Sequence, residues 1–399
     1  MLLVGIIRDW RAWLAALLIV AGAVSFHVRI GRRMPDFQVY RTAATRVVAG
    51  EPLYRATDGH WQFKYLPAFA FVVAPLSFLP APHEAQTTDP RGRDYNPWAD
   101  TARVAWFAGS VALLVALLAL SLRLLPGRTW RGSALVGLTI LALGKFYAHE
   151  LELGQTNILL AVVVLLSLAQ WKAGREFRAG ALLAAATVVK PYAVLFLPYL
   201  VFRKRWSACA GFAVVLAAAL LVPVLRYGLR ENAALLAGWW STVTESTPPN
   251  LGVSDNISIA AMYAKWLGVG APANWLALAT AALLLAMCAR TLFIAPASAF
   301  PQYLDAAVLL TLIPLLSPQG WDYVLLLATP AVMLLINHLG GFSRPIRWLA
   351  IACLMVAGLT LWDVVGRRAY TLFMVSSVVT LCYLFELGLL LRLRKAQVA

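Results

Sequence analysis

The sequence predicts an all-α protein built into a lipid bilayer, with about ten to twelve membrane-spanning helices. Three observations carry that expectation. Of 399 residues, 61% are hydrophobic and 13% charged, about half the charged share of an ordinary soluble domain. Mean hydropathy is +0.74. Apolar runs of about 16–24 residues recur from end to end, close to the ~20 residues a helix needs to cross hydrocarbon.

The runs fall near 12–30, 65–80, 102–124, 131–148, 155–171, 178–202, 206–226, 272–294, 303–317, 321–338, 345–364 and 370–391. The first follows Arg8 and Arg11 and lacks a convincing small-residue cleavage site, so it reads as a retained span rather than a signal peptide. Two longer polar intervals, 31–64 and 227–271, interrupt the pattern. A third, 81–101, is rich in Pro, Asp and Arg and reads as a mobile loop. Residues 36–49 have helical periodicity: Phe37, Tyr40, Ala44, Val47 and Val48 fall near one face, and Gln38, Arg41, Thr45 and Arg46 turn away. Gly50 ends this helix and Pro52 prevents its continuation. Such a helix is expected to lie in the interface plane. Residues 231–246 look similar, with Trp239-Trp240 as an anchor.

The formal net charge is +16. Most Arg and Lys sit in short connections between apolar runs, as the positive-inside rule requires. No basic-aromatic surface stands apart from them, so nucleic acid is not an expected partner. Arg8/Arg11, Arg128/Arg131, Lys172/Arg175/Arg178, Arg203-Lys204-Arg205, Arg344/Arg347 and Arg392/Arg394/Lys395 are the expected cytoplasmic clusters. Two of these flank a single run, 178–202. If both are cytoplasmic, that run enters, turns near Lys190-Pro191 and leaves on the same side. The alternative is that one cluster violates the rule, giving about twelve crossings. The fifteen Trp suit interfacial belts. Cys209, Cys288, Cys353 and Cys382 lie inside apolar runs without CxxC spacing, so neither a disulfide nor a zinc site is expected.

Four polar motifs break the apolar pattern. The first is Asp36 with its helix, followed by Gly50-Glu51-Pro52-Leu53-Tyr54 and Phe63-Lys64-Tyr65-Leu66-Pro67. The second is Gly154-Gln155-Thr156-Asn157, preceded by His149, Glu150 and Glu152. The third is Lys190-Pro191-Tyr192. The fourth is Asp255-Asn256-Ile257-Ser258, paired later with Ser317-Pro318-Gln319-Gly320-Trp321-Asp322-Tyr323. Each has a purely structural alternative: Asp36 as a helix cap, Gln155, Asn157 and Asn256 as caps, Lys190 as a snorkelling side chain. Lys190 lies about twelve residues from either end of its run, too deep to reach water unless the helix breaks, which Pro191 allows.

In this order the motifs resemble those of the family-87 integral-membrane glycosyltransferases, from about residue 12 to 335. The resemblance implies the GT-C fold, as one integral-membrane domain spanning 1–399. It implies transfer of a sugar, mannose being expected, from a polyprenyl-phosphate donor to a lipid-linked or envelope glycan in a bacterial plasma membrane. It places 31–64 and 227–271 outside the cytoplasm, although 31–64 is itself basic. The acid of the first extracytoplasmic loop, the family's catalytic base, falls on Asp36. Some relatives carry histidine just after Ser-Pro-x-x-Trp, where this chain has Asp322-Tyr323.

The chemistry agrees with that assignment. A phosphate-linked sugar already carries its leaving group, so one carboxylate can serve as base, with cations near the departing phosphate. Arg41, Lys64 and Lys190 are candidates, Lys190 preferred. Tyr65, Gln155, Asn157, Asn256 and Asp322 complete the expected substrate-binding set. No nucleotide-binding glycine loop appears, so no nucleotide cofactor is expected. A lone acid forms no two-carboxylate metal site, although Asp58 and Glu51 lie near enough in sequence to contribute to one. The rival reading is a transporter or lipid flippase, which would also place Lys190 and Asp322 in broken helices; no convincing repeat relates the two halves.

Overall fold

The computed structural model describes residues 10–80, 96–293 and 301–396. Most of the polar interval 81–101 therefore lies outside the described residues. A helix occupies each of the twelve apolar intervals: α1 (Trp10–Val28), α3 (Pro67–Val73), α4 (Thr101–Leu124), α5 (Gly132–Leu153), α6 (Asn157–Lys172), α7 (Glu176–Val189), α9 (Trp206–Leu221), α12 (Ala271–Leu292), α13 (Gln302–Leu316), α14 (Thr329–His338), α15 (Arg344–Leu359) and α18 (Val378–Ala396). The polar intervals supply α2 (Pro35–Ala49), α10 (Val224–Glu245) and α11 (Ile259–Leu267). The 178–202 run also holds α8 (Phe196–Phe202), and the two short helices α16 (Trp362–Val365) and α17 (Arg367–Val375) precede α18.

Continuous spans are fewer than the apolar runs suggest. Among the described residues, four helical stretches are long and apolar enough to cross a membrane by length and composition: Thr101–Leu124, Gly132–Leu153, Ala271–Leu292 and Asp322–Gly341. Two bent pairs bring the number to six: Trp206–Leu221 with Val224–Asn250, at 91°, and Arg367–Val375 with Val378–Lys395, at 54°. Four further apolar segments, Pro67–Phe78, Asn157–Lys172, Pro191–Phe202 and Gln302–Leu316, are shorter, because proline and polar residues interrupt runs that hydropathy alone reads as continuous.

The clearest break is at Lys190. Helix α7 stops at Val189, Lys190 is extended (φ −146°, ψ 128°), and a 3₁₀ turn over Pro191–Leu195 leads into α8. The chain then returns to the end it left, since Arg205 Nη1 meets Glu176 Oε1 at 2.9 Å. At about 1.5 Å per residue, the fourteen residues of α7 reach about 21 Å, short of the ~30 Å hydrocarbon core. Helix α9 crosses α7 closely: a Cβ on Gly180 would fall 1.8 Å from Ala208 O, and one on Gly211 would fall 2.1 Å from Phe177 O. Only glycine at both positions lets the two backbones meet.

The bundle has two chemically distinct ends. At one, Thr129 N donates to Asn337 Oδ1 (2.8 Å), and Asp305 holds Arg203 (3.0 Å) and Arg394 (2.6 Å). The short basic connections gather there. At the other, Met34 N donates to Glu152 O (3.0 Å), and Ile257 N donates to Gly320 O (2.7 Å). The polar motifs converge at this second end. Helix α2 also lies there, but its apolar face is not left for lipid: Phe37, Tyr40, Ala44 and Val47 are buried in the protein, joined by Val39 and Ala43. Val48, read as part of that face, is exposed.

Candidate active site

Asp36 stands in the first turn of α2. Pro35 occupies the first helical position, where its fixed φ suits helix entry. Met34 takes the N-cap position in a left-handed conformation, with no side-chain cap bond. Asp36 is therefore not the helix cap. Its carboxylate is favoured by the helix dipole and points to a cavity of about 710 Å³. Gly154 permits this placement. It closes α5 at φ 71°, and a Cβ there would sit 2.9 Å from Phe37 Cβ. A side chain at 154 would push α2 off the α5–α6 turn that carries Gln155.

Asp36, Lys64, Tyr65, Gln155, Lys190 and Asp322 all line this cavity. Gln155 is the hub. Its Oε1 accepts from Lys190 Nζ (2.9 Å), Tyr40 OH (3.2 Å) and Tyr65 OH (3.2 Å), and its Nε2 donates to Tyr323 OH (3.3 Å). The two hydroxyls of Tyr40 and Tyr65 are 2.6 Å apart. Lys190 Nζ also lies 5.7 Å from the Tyr65 ring centroid and 6.0 Å from that of Tyr192, a distance at which the ring faces favour the cation. This buried ammonium does not snorkel: the break at Pro191 delivers it to the cavity.

The electrostatics suit a base. Burial pushes the Asp36 carboxyl above its usual range, opposed by the positive charge of Lys190, a hydrogen bond from Gln155 and the charge of Lys64. Burial lowers Lys64, opposed by Asp36. A carboxylate raised toward neutrality is a better proton acceptor than an ordinary surface Asp.

Three expected site residues face elsewhere. Arg41 pairs with Asp100 Oδ2 at 2.8 Å. Asn157 is fully buried, and with Ile158 it holds the Glu150 carboxylate through its backbone N (2.5 Å), its Nδ2 (2.8 Å) and Ile158 N (3.1 Å). Asn256 joins two motifs: its Nδ2 donates to Asn250 O (3.0 Å) and Pro318 O (2.7 Å), and its Oδ1 accepts from Ser258 N (3.0 Å). None of the three lines the cavity. The two acids considered for a metal are paired with arginine. Asp58 takes Arg46 in a fork (2.5 and 2.8 Å), which lowers its carboxyl below the usual range, and Glu51 takes Arg55 (2.5 Å).

Other wall residues carried weak sequence signals or none. Asp322 is buried between Lys145 Nζ (3.1 Å) and His149 Nδ1 (3.0 Å), so His149 reaches the same wall. Asp255 accepts from Tyr370 OH (2.7 Å). Trp239 and Trp240, read as an interfacial anchor, line the cavity, and Trp239 Nε1 donates to Lys64 O (3.3 Å). His149 was visible beside the Gly-Gln-x-Asn motif. Asp255 opened the fourth motif without a site role; it and the Trp pair reach the wall through the bend between α9 and α10 and the packing of α17.

A bundle of broken apolar helices, with three acids and two lysines around a cavity at one end, defines a class: a multi-pass membrane protein with a polar site at one end of its helices. The sequence profile of glycosyltransferase family 87 matches residues 63–318, well over half of the chain. The protein belongs to that family. Family membership decides for a glycosyltransferase over the transporter reading. The matched region begins after Asp36, so the acid's role rests on its position in this molecule. No curated protein and no solved structure matches the chain.

Proposed function

We propose that the protein transfers a sugar, mannose, from a polyprenyl phosphate to a lipid-linked or envelope glycan, with inversion and with Asp36 as the base. The observation that carries this reading is the shared cavity: one half-buried carboxylate faces Lys190 and Lys64 across it. Asp36 takes the proton of the acceptor hydroxyl. The acceptor oxygen attacks the anomeric carbon from the face opposite the phosphate. The bond from that carbon to the phosphate oxygen breaks, and polyprenyl phosphate leaves with the electron pair. Lys190 and Lys64 stabilise the charge that develops on it. Gln155 fixes Lys190 and Tyr65 relative to Asp36. The choice of mannose and of the polyprenyl carrier rests on the order of motifs and on the absence of a nucleotide-binding loop.

Charge distribution supports an extracytoplasmic site in a plasma membrane. Of the short connections at the cavity end, 154–156 and 317–321 contain no Lys or Arg, while 29–34 carries Arg29, Arg32 and Arg33. Those at the opposite end contain Arg128, Arg131, Arg175, Arg203, Lys204 and Arg205. Short loops of this kind are the ones that set orientation.

Proteoliposomes given labelled polyprenyl-phospho-mannose and a membrane-lipid extract test the reading. Label should move to a new glycolipid, with release of polyprenyl phosphate. Label that stays on the donor, or crosses the bilayer unchanged, overturns it.

A further inference from the structure

Glu150 is a buried carboxylate that the proposed reaction leaves unused. It stands in the last turn of α5 and is 1% exposed. A negative charge is disfavoured at the C-terminal end of its own helix and favoured at the N-terminal end of the next. The side chain accordingly crosses to the start of α6 and accepts from Asn157 N, Asn157 Nδ2 and Ile158 N. The Glu150 backbone O accepts from Gln155 N (3.1 Å). All three donors to the carboxylate are uncharged, so its charge is balanced from further away. The strongest opposite charge it meets is that of Lys190, and Lys190 in turn meets Glu150 more strongly than Asp36.

The two charges flank one turn. Lys190 Nζ donates to Gln155 Oε1 (2.9 Å), while Glu150 takes the amides two and three residues further on. The buried set holds two carboxylates, Glu150 and Asp36, against two ammonium groups, Lys190 and Lys64. A buried ammonium needs a counter-charge. With Glu150 neutral, Asp36 is the carboxylate left to supply it, and a direct pair would lock Asp36 as Asp305 is locked between its arginines.

We infer that Glu150 is a positioning residue of the transferase: it splints the Gly154–Asn157 turn and compensates Lys190, so that Asp36 stays unpaired for the acceptor hydroxyl. The inference rests on the proposed reading and deepens it, because it accounts for a carboxylate that stays available beside two lysines.

Glu150→Gln removes the charge and keeps the scaffold. Its carbonyl still accepts from Asn157 N and Ile158 N, and its amide can donate to Asn157 Oδ1, a buried atom with no partner in the wild-type protein, once the Asn157 amide turns over. Lys190 is faced by Asp36, Glu150, Gln155, Tyr65 and Tyr192; Asp36 also meets Lys64, His60 and Tyr323. The full chain in uncharged maltoside detergent is titrated calorimetrically with farnesyl phosphate between about pH 7.5 and 10.5, where the probe stays a dianion. Affinity should fall as the lysines lose their protons. Removing a neighbouring negative charge favours the neutral amine, so in Glu150→Gln the fall should come about one pH unit lower. In Lys190→Met the remaining fall belongs to Lys64, and adding Glu150→Gln should leave it in place. Asn157→Ala keeps the charge and should lower the melting temperature without moving the midpoint. At neutral pH, Glu150→Gln should bind the probe within about threefold of wild type and transfer sugar about tenfold or more slowly.

If Glu150→Gln does not fold, Lys190→Met on an Asp36→Asn background gives a second reading. Glu150 should then take up a proton, adding a protonated-carboxyl infrared band at neutral pH that Asp36→Asn alone lacks; no added band overturns the inference. A midpoint unmoved in Glu150→Gln, a shift that persists without Lys190, or transfer within about twofold of wild type would each mean that Glu150 only caps α6, and would overturn the inference while the donor reading stands. Wild-type protein that does not bind farnesyl phosphate overturns the donor reading, and the inference with it.

Discussion

Asp305 and Asp36 sit at opposite ends of the bundle, each among cations and tyrosine hydroxyls. Asp305 is fully buried, with Arg394 at 2.6 Å, Arg203 at 3.0 Å and Tyr199 OH at 2.8 Å. Its partners come from α8, from the connection after it and from α18, so the cluster clamps the start of α13 to the returning hairpin and the last helix. Asp36 has similar company, but its cations act across an open cavity and its side chain keeps some exposed surface. A carboxylate held by direct ion pairs and fully buried has no room for a substrate. One that is held short of saturation keeps both the charge and the room to use it. On the proposed reading, that difference separates a clamp from a base.

Substitutions should split along that line. Asp305→Asn leaves Arg394 buried without a full counter-charge, and breaking a buried pair in this way costs about 3–5 kcal/mol. The melting temperature in nanodiscs should fall sharply, while transfer per folded molecule stays within about twofold of wild type. An unchanged melting temperature would remove the distinction. Lys190→Met acts the other way. If Lys190 faces the leaving phosphate as proposed, its loss should lower turnover by about 10²–10³-fold with a smaller effect on stability.

The pH dependence sharpens the same comparison. Transfer needs Asp36 ionised, so the rate should fall as pH drops through its raised pKa, at a midpoint above the ordinary Asp value of about 3.9. Lys190 holds that pKa down, so in Lys190→Met the acid limb should move to higher pH. A limb that stays in place would mean that another group titrates. Gly154→Ala is the mildest test. The residue must keep φ 71° and press on Phe37, costing about 1–3 kcal/mol, and the tilt of α2 should reduce turnover more than it reduces donor binding.

The helices and the broken span were legible in the sequence because both rest on local physics. Hydropathy marks each apolar interval, and a lysine beside a proline in mid-run, with arginines at both ends, leaves few arrangements. Side-chain destinations were less legible. Arg41 follows Asp36 by five residues, which is about 140° around a helix, so it could not share the cavity once the helix was real. Gln155 and Asn157 lie two apart in one motif, yet only Gln155 reaches the cavity. Asn157 is claimed by Glu150, a residue seven positions upstream in the last turn of α5 whose carboxylate needs the free amides at the start of α6. Asn256 is likewise consumed in tying two loops together, a contact that no spacing announces. Asp255 and Trp239-Trp240 reach the wall through the 91° bend after α9, and a bend is invisible to a hydropathy count.

The initial rate of mannose transfer by Asp36→Asn, normalised to folded protein in nanodiscs, tests the central claim most directly. The account predicts a fall of about 10²–10⁴-fold with donor binding and melting temperature close to wild type. Turnover within about threefold of wild type in that variant would contradict it.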